Sequence, residues 1–227
     1  MKAKTKTKAL LMSLCAVLLV AASVLGTMAY LTDSKDVKNT FTVGNVSIKL
    51  DEAKVNADGK AIDKKGNVVT DFAKAERVAE NSYKLLPGHT YVKDPTVTVL
   101  KPSVESYVKM TVTFTKADAL DAIFAPTGGA ELANIFGGYD AATWLYKGNT
   151  KEGDTRTYEF WYKTTVDATG AAQTLKPLFT SIIVPGTINN DQLKSIDGMT
   201  INVNAYAIQA DGFKNADAAW AAFAAQN

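Results

Sequence analysis

Few residues in this chain have the types and spacing that catalysis needs. The single histidine, His89, follows Pro87-Gly88, and no His-Glu-x-x-His pair of metal ligands is present. Because Pro-Gly is typical of turns, we expect His89 to lie on the surface rather than to bind a metal. No serine lies in a Gly-x-Ser-x-Gly elbow. Chain order alone leaves a Ser-His-Asp triad open, since triads are recognised by geometry.

Binding motifs are equally sparse. Asp58, Asp63 and Asp71 lack the spacing of a calcium-binding loop, which favours a solvated loop. No glycine-rich loop suited to phosphate is present. Aromatic residues cluster at 158–162, where they could form a platform for a carbohydrate, although packing within a strand is the favoured interpretation. The sequence therefore predicts no catalytic residue, no metal ligand and no cofactor.

The amino terminus has the layout of a secretory signal peptide. An apolar run covers residues 9–26, and the small residues Thr27 and Ala29 follow it. A basic start, an apolar middle and a small-residue exit predict cleavage between Ala29 and Tyr30. A retained membrane anchor is the alternative, because a run of this length is at the lower limit for spanning a bilayer. The basic residues before the run are Lys2, Lys4, Lys6 and Lys8.

Removal of residues 1–29 changes the composition of what remains. Four lysines leave with the leader, so the mature chain carries 21 basic and 23 acidic residues. The basic character of the whole chain is thus no argument for binding nucleic acid. Cys15 also leaves, so the mature chain has no thiol for a disulfide. Residues 30–227 are expected to form one domain with its own core.

The mature sequence is predicted to consist mainly of short strands. Alternating or continuous apolar residues separated by turn signals are typical of an antiparallel sandwich. Residues 51–70 are polar and are predicted to form a solvated loop or a marginal hairpin, and 147–153 are predicted to form a polar turn between two strands. Short helices are predicted at 115–124, 131–136 and 215–225, the last with Asn215 as its N-cap. The expected fold is all-β, a jelly-roll-like β-sandwich with a few short decorating helices. The predicted strands are 40–43, 46–50, 95–100, 107–115, 143–146, 156–166, 178–184 and 199–210.

Several stretches resemble the TasA/camelysin family of secreted Gram-positive proteins. The residues GTMAYLTD at 26–33, followed by NTFTVGNVSIKL at 39–50, are similar to the amino-terminal signature of that family. KLLPG at 84–88, KDPTVTV at 93–99 and AYAIQA at 205–210 are also similar to stretches of family members. The resemblance implies removal of the leader by a SipW-type signal peptidase.

The resemblance further implies a structural protein of the extracellular biofilm matrix. Family fibres form when an amino-terminal strand of one subunit completes the sheet of the next, a form of strand addition. The matching segment here is 30–50, in which residues 32–39 are predicted to be a polar leash that precedes strand-like residues. Residues 30–43 are the possible donor strand or leash, and the candidate donor side chains are Phe41, Val43, Val46 and Ile48. The alternative is that this segment is simply the first strand of its own sandwich.

The partners and the location follow from this interpretation. We expect a secreted protein of the matrix or cell surface that associates with its own copies or with other matrix proteins. Nucleic acid is not expected as a partner, and the membrane is expected only through an uncleaved leader. Two alternatives use the same fold: a camelysin-like metalloprotease and a surface adhesin. Chelator-sensitive cleavage of casein would favour the protease, although one histidine suits zinc poorly.

Amino-terminal sequencing of the secreted protein tests the predicted leader. We expect Tyr30 as the first residue. Ala29→Phe should block cleavage, because a large side chain does not fit the peptidase pocket that accepts small residues. Met28→Leu is the matched control and should be processed normally. A secreted protein that begins at its initiator methionine would contradict the prediction.

Overall fold

Two layers of antiparallel strands form the fold. The computed structural model describes residues 32–36, 39–40, 46–124 and 130–225. Its predominance of antiparallel strands with short helices confirms the predicted all-β sandwich. In chain order the strands are β1 (Thr32–Asp36), β2 (Asn39–Thr40), β3 (Ile48–Ala53), β4 (Arg77–Val78), β5 (Thr90–Val92), β6 (Thr96–Val99), β7 (Ser103–Thr115), β8 (Phe136–Gly137), β9 (Trp144–Glu152), β10 (Thr155–Tyr162), β11 (Val166–Ala168), β12 (Gln173–Thr174), β13 (Ser181–Ile183) and β14 (Ile201–Gln209).

One layer is a seven-stranded sheet, and two smaller sheets form the other. The large sheet has the order β2-β1-β14-β7-β10-β9, with β11 also paired to β7. The smaller sheets have the orders β12-β6-β3-β4 and β5-β13-β8. Strands β6 and β7 are consecutive but lie in different sheets, so residues 100–102 form an arch between the layers. The helices are α1 (Ala117–Phe124), α2 (Ala130–Ile135), α3 (Asn190–Ser195) and α4 (Ala216–Ala224).

The core follows from the alternation of side chains along β7. From Val108 to Phe114 every second residue of this strand is apolar and faces the other layer, because successive side chains point to opposite faces. The ring of Phe136 lies among these residues, with its centroid 4.6 Å from that of Phe179 and 5.5 Å from that of Tyr158. Aromatic pairs of this kind stabilise a core beyond the burial of apolar area. The fully buried side chains of β7 are Val108, Met110, Val112 and Phe114.

Helix α4 covers the outer face of the seven-stranded sheet. The side chain of Asn215 accepts a hydrogen bond from the Ala218 N–H, which confirms the predicted N-cap. Trp220 and Phe223 are buried against Ile208 of β14. The large sheet is therefore covered on both faces, which explains why both faces of β14 carry apolar residues.

Lys109 of β7 points into the contact between the sheet and α4. Its ammonium nitrogen lies 4.8 Å from the ring centroid of Trp220, 5.2 Å from that of Phe223 and 5.5 Å from that of Tyr206. The same nitrogen lies 3.8 Å from the Glu159 carboxylate of β10. Cation–π attraction thus adds to apolar packing in holding α4 on the sheet.

Three differences from the sequence prediction have local causes. Residues 147–152 belong to β9 rather than to a turn, because β9 and β10 pair up to Glu152 and absorb an extra residue in a bulge where Gly148 has a φ of 123°. Residues 51–53 belong to β3, although their charged side chains predicted a loop. Helix α3 was not predicted, yet Asn189 and Gln192 form a capping box at its start.

The environment of Lys109 predicts a dependence of stability on pH. Burial lowers the pKa of Lys109, and Glu159 offsets only part of that effect. Between the folded pKa and the unfolded pKa, the unfolded chain therefore binds more protons, so the free energy of unfolding rises with pH. Urea unfolding should show the wild type gaining stability relative to Lys109→Met as the pH rises from neutral toward the ordinary lysine value of 10.5. A difference between the two proteins that is the same at every pH would contradict this expectation.

Candidate functional site

The first described strand is the second from one edge of its own sheet, and only the two-residue strand β2 lies outside it. The sequence predicted a polar leash over residues 32–39, whereas residues 32–36 form this strand. Strand β1 pairs antiparallel with β14, with Thr32 opposite Ile208 and Lys35 opposite Ala205. The chain then reverses, and β2 pairs back onto β1 through Asp36 and Asn39. In this structure the amino-terminal segment therefore completes its own sandwich, which is the alternative that the sequence left open. We call residues 205–208 of β14, on the side that faces β1, the β14 edge.

The predicted donor side chains fall into two groups. Val46 and Ile48 are fully buried in the main core, and Ile48 lies opposite Val99 in the β3–β6 pair. Their side chains therefore contribute to the core of their own chain. The other two donor candidates, Phe41 and Val43, lie outside the described residues. The residues of the predicted cleavage site, Thr27, Ala29 and Tyr30, also lie outside them.

A groove of about 1450 Å³ continues from the β14 edge along the beginning of the same strand. One wall is formed by residues 201–204 of β14, and a second by residues 193–200 at and after α3. Residues 79–85 form a third wall. The lining is mixed in character, with both apolar side chains and charges of both signs. The groove is therefore suited to a peptide segment better than to a purely apolar ligand.

Beside the groove, Arg77 joins two carboxylates of the four-stranded sheet region. Its guanidinium donates to Asp51 Oδ1 at 2.9 Å and to Asp94 Oδ2 at 2.5 Å. Asp94 also accepts a hydrogen bond from the Ala53 N–H at 2.6 Å. Burial raises the pKa of Asp94, an effect that the hydrogen bonds from Ala53 and Arg77 only partly offset. These contacts fix the end of β3 against the segment that precedes β6.

A second buried group of charges lies in the groove wall. Lys93 Nζ donates to Glu52 Oε2 at 2.6 Å, and Asn81 Nδ2 donates to Glu52 Oε1 at 2.8 Å. The side chains of Lys93 and Glu52 are only 8% and 5% exposed. The Tyr83 hydroxyl donates to the Val92 carbonyl, and burial together with the charge of Glu52 raises its pKa. One carboxylate thus holds an amine and a carboxamide side by side.

The remaining sequence candidates do not gather into a site. His89 is exposed beside the Pro87-Gly88 turn, as predicted. Tyr158 and Phe160 are buried in the core, which confirms the packing interpretation of the aromatic stretch. Within the described ranges, no three His, Cys, Asp or Glu side chains are grouped to hold a metal ion. The same part of the chain contains no helix long and apolar enough to cross a membrane.

Comparison with known proteins identifies no relative of this chain. No protein-family model matches the chain, and neither a curated protein nor a solved structure is significantly similar to it. The family resemblance seen in the sequence therefore stays a prediction.

The polar network beside the groove was not predicted, because its members are far apart in the sequence. Lys93 and Glu52 are separated by 41 residues, and Asn81 and Glu52 by 29. The sequence does contain a weak indication of this network. Two charged residues, Lys93 and Asp94, come just before Pro95 and the largely buried strand β6, and charged residues beside a buried strand indicate buried partners. The identity of the partners requires the tertiary structure.

Arg77→Met tests the electrostatic role of the network. The change leaves the buried Asp94 carboxylate without its cation, and we expect a loss of about 3 kcal/mol in the free energy of unfolding. Because the folded state then favours the protonated carboxyl, the loss should grow as the pH rises and shrink in acid. Lys54→Met is the matched control, since the Lys54–Glu76 pair is more exposed than Arg77–Asp94, at 44% and 31% of the side chains, and its loss should cost less than about 1 kcal/mol. Equal effects of the two changes in urea unfolding would contradict a special role for Arg77.

Proposed function

We propose that the mature chain is a secreted subunit of an extracellular matrix fibre, and that it polymerises by exchange of β1. In the exchanged form, β1 of one subunit leaves its own β14 edge and pairs with the β14 edge of the next. The leader is removed by a signal peptidase of the SipW type, which leaves only Tyr30 and Leu31 before β1. The observation that carries this proposal is the position of β1 near the amino end of the mature chain and at the end of the large sheet, where only the two-residue β2 lies outside it.

The small cost of releasing β1 supports the proposal. Strand β1 has five residues, and four of them pair with β14. The side chains of Val46 and Ile48, which follow the segment, stay in their own core when it leaves. The backbone hydrogen bonds lost within one chain are regained between two chains, so exchange conserves the main contribution of strand pairing. Exchange of an identical element is a route of low cost to association.

The geometry of the groove supports a longer donor. If the β1–β2 hairpin opens on exchange, a donor strand that keeps the register of β1 and continues beyond Asp36 runs toward residues 201–204, which line the groove. Such a segment brings Phe41 and Val43 to the acceptor, in agreement with the donor side chains predicted from the sequence. Donor and acceptor are different surfaces, so each subunit still carries an acceptor for the next and the assembly grows as an open filament.

The opposite side of the large sheet is less suited to strand addition. Strand β9 forms that side and carries Lys147 and Lys151 as well as the bulge at Gly148. Charged side chains and bulges are the means by which edge strands avoid pairing with other chains. We therefore assign growth of the fibre to the β14 edge.

A reversible disulfide lock tests the exchange. Register partners in an antiparallel pair lie about 4.5–5.5 Å apart at Cα, which a disulfide can span. Asp33→Cys with Ala207→Cys, introduced together into residues 30–227, should join β1 to its own β14 edge. We expect the oxidised protein to stay monomeric in sedimentation and negative-stain microscopy, and the reduced protein to form fibres. The mature sequence contains no other cysteine to interfere.

Mixing the two single variants provides the complementary test. Chains with Asp33→Cys and chains with Ala207→Cys should form disulfide-linked pairs only where β1 of one chain reaches β14 of another. Deletion of residues 30–43 should abolish fibres. The proposal fails if concentrated wild-type protein is monomeric at acid and neutral pH, or if the oxidised double variant forms fibres as readily as the reduced one.

A further inference from the structure

We propose that Lys93 and Asn81 form an intramolecular amide bond between their side chains, with Glu52 as the group that transfers the protons. The reaction releases ammonia and makes a permanent cross-link in the wall of the groove. It does not depend on the proposed fibre, since all three residues belong to one chain.

The arrangement of hydrogen bonds places the reacting groups together. Glu52 accepts from the Lys93 amine with one oxygen and from the Asn81 carboxamide with the other. Both nitrogen atoms are therefore held at the same carboxylate. Reaction requires Lys93 Nζ to approach Asn81 Cγ to within about 3–3.5 Å, and hydrogen bonds to the two oxygens of one carboxylate confine both groups to the same small region.

The carboxamide of Asn81 is held in a single orientation. Its Nδ2 donates to the Ala53 carbonyl at 2.8 Å as well as to Glu52, and its Oδ1 accepts from the Val55 N–H at 2.9 Å. Rotation of the amide by half a turn would set oxygen against oxygen at two of these contacts. The Val55 N–H also stands where negative charge develops on Oδ1 during nucleophilic attack, and such a donor stabilises the transition state.

The reacting groups are shielded from water. The Lys93 and Glu52 side chains are only 8% and 5% exposed, and the ring centroid of Tyr83 lies 5.9 Å from Lys93 Nζ. Glu52 is the hydrogen-bond partner of the Lys93 nitrogen and is therefore placed to take its proton. The groove beside Asn81 gives the released ammonia a path to solvent.

The chemistry balances with these three groups alone. One proton passes from Lys93 Nζ to Glu52, and the electron pair of the amine forms a bond to Asn81 Cγ. Glu52 then donates its proton to Nδ2 and takes a second proton from Nζ. The bond between Cγ and Nδ2 breaks, and Nδ2 leaves as ammonia. The products are one secondary amide and a protonated Glu52, so the buried product is uncharged and no oxidant or reductant is needed.

The bond would close the loop from Asn81 to Lys93. This loop contains most of the third wall of the groove and the turn at Pro87-Gly88 that carries the exposed His89. A covalent closure restricts the unfolded chain much as a disulfide does. The predicted mature sequence has no cysteine, so an amide is a cross-link that this chain can make without one.

Intact-mass spectrometry of the purified full-length chain tests the proposal. We expect wild-type protein to weigh one ammonia less than its sequence mass, and tandem spectra to show a branched peptide that joins Lys93 to Asn81. A succinimide at Asn81-Ser82 would also release ammonia, but Lys93→Arg separates the two cases. The amide bond is lost in that variant, whereas a succinimide persists.

Matched variants complete the test. Glu52→Gln should restore the full mass, because the proton carrier is gone. Asn81→Asp should form the same bond with loss of water instead of ammonia. Lys109→Arg is the control, since Lys109 is also a shielded lysine beside a carboxylate but has no carboxamide partner. Circular dichroism establishes that each variant is folded, and if Glu52→Gln or Lys93→Arg does not fold, Asn81→Asp decides.

Three results would each overturn the inference. The first is a folded wild-type protein with its full sequence mass. The second is an ammonia loss that persists in Lys93→Arg, and the third is an Asn81→Asp protein that folds and loses no water. Fibre formation is scored separately by microscopy, so failure of the cross-link leaves the strand-exchange proposal standing, and the reverse is also true.

Discussion

The alternation of side chains along β7 is the constraint on which the rest of the structure depends. One set of its residues builds the core between the layers, and the other set, including Lys109, meets α4. Strands β10, β11 and β14 all pair with β7, so their registers are set by it. A slip of one residue would exchange Met110 for Lys109 in the core and disrupt both contacts at once. The β14 edge exists in its present position because β14 is fixed on its other side by β7.

The layer formed by the smaller sheets depends on buried, hydrogen-bonded charges rather than on the alternation of apolar side chains. The smaller sheets have short strands and little repetitive pairing, and the end of β3 is instead fixed by side chains. Arg77, Asp94 and Glu52 satisfy backbone and side-chain groups that would otherwise be buried without partners. This part of the fold therefore depends on specific hydrogen bonds, whereas the main core tolerates exchanges among apolar residues of similar volume.

The sequence predicted the elements whose pattern is local. The strand at 107–115, the long strand at 199–210 and the helix capped by Asn215 each carry their own periodicity, and the structure contains all three. Residues 147–153 were mistaken for a turn because an edge strand carries polar and charged side chains. The groove and the triad of Glu52, Asn81 and Lys93 were beyond prediction, because tertiary contacts alone bring distant residues together. No local pattern encodes a pairing between residues 41 positions apart.

The pairing of β1 with β14 also has a consequence for the order of events in synthesis. A ribosome makes β1 among the first residues of the domain and β14 among the last, and nearly the whole domain lies between them. Throughout that interval β1 can pair only with the short β2 and lacks the β14 strand that it meets in the finished chain. The strand that is synthesised first is therefore among the last to gain its main partner in the sheet.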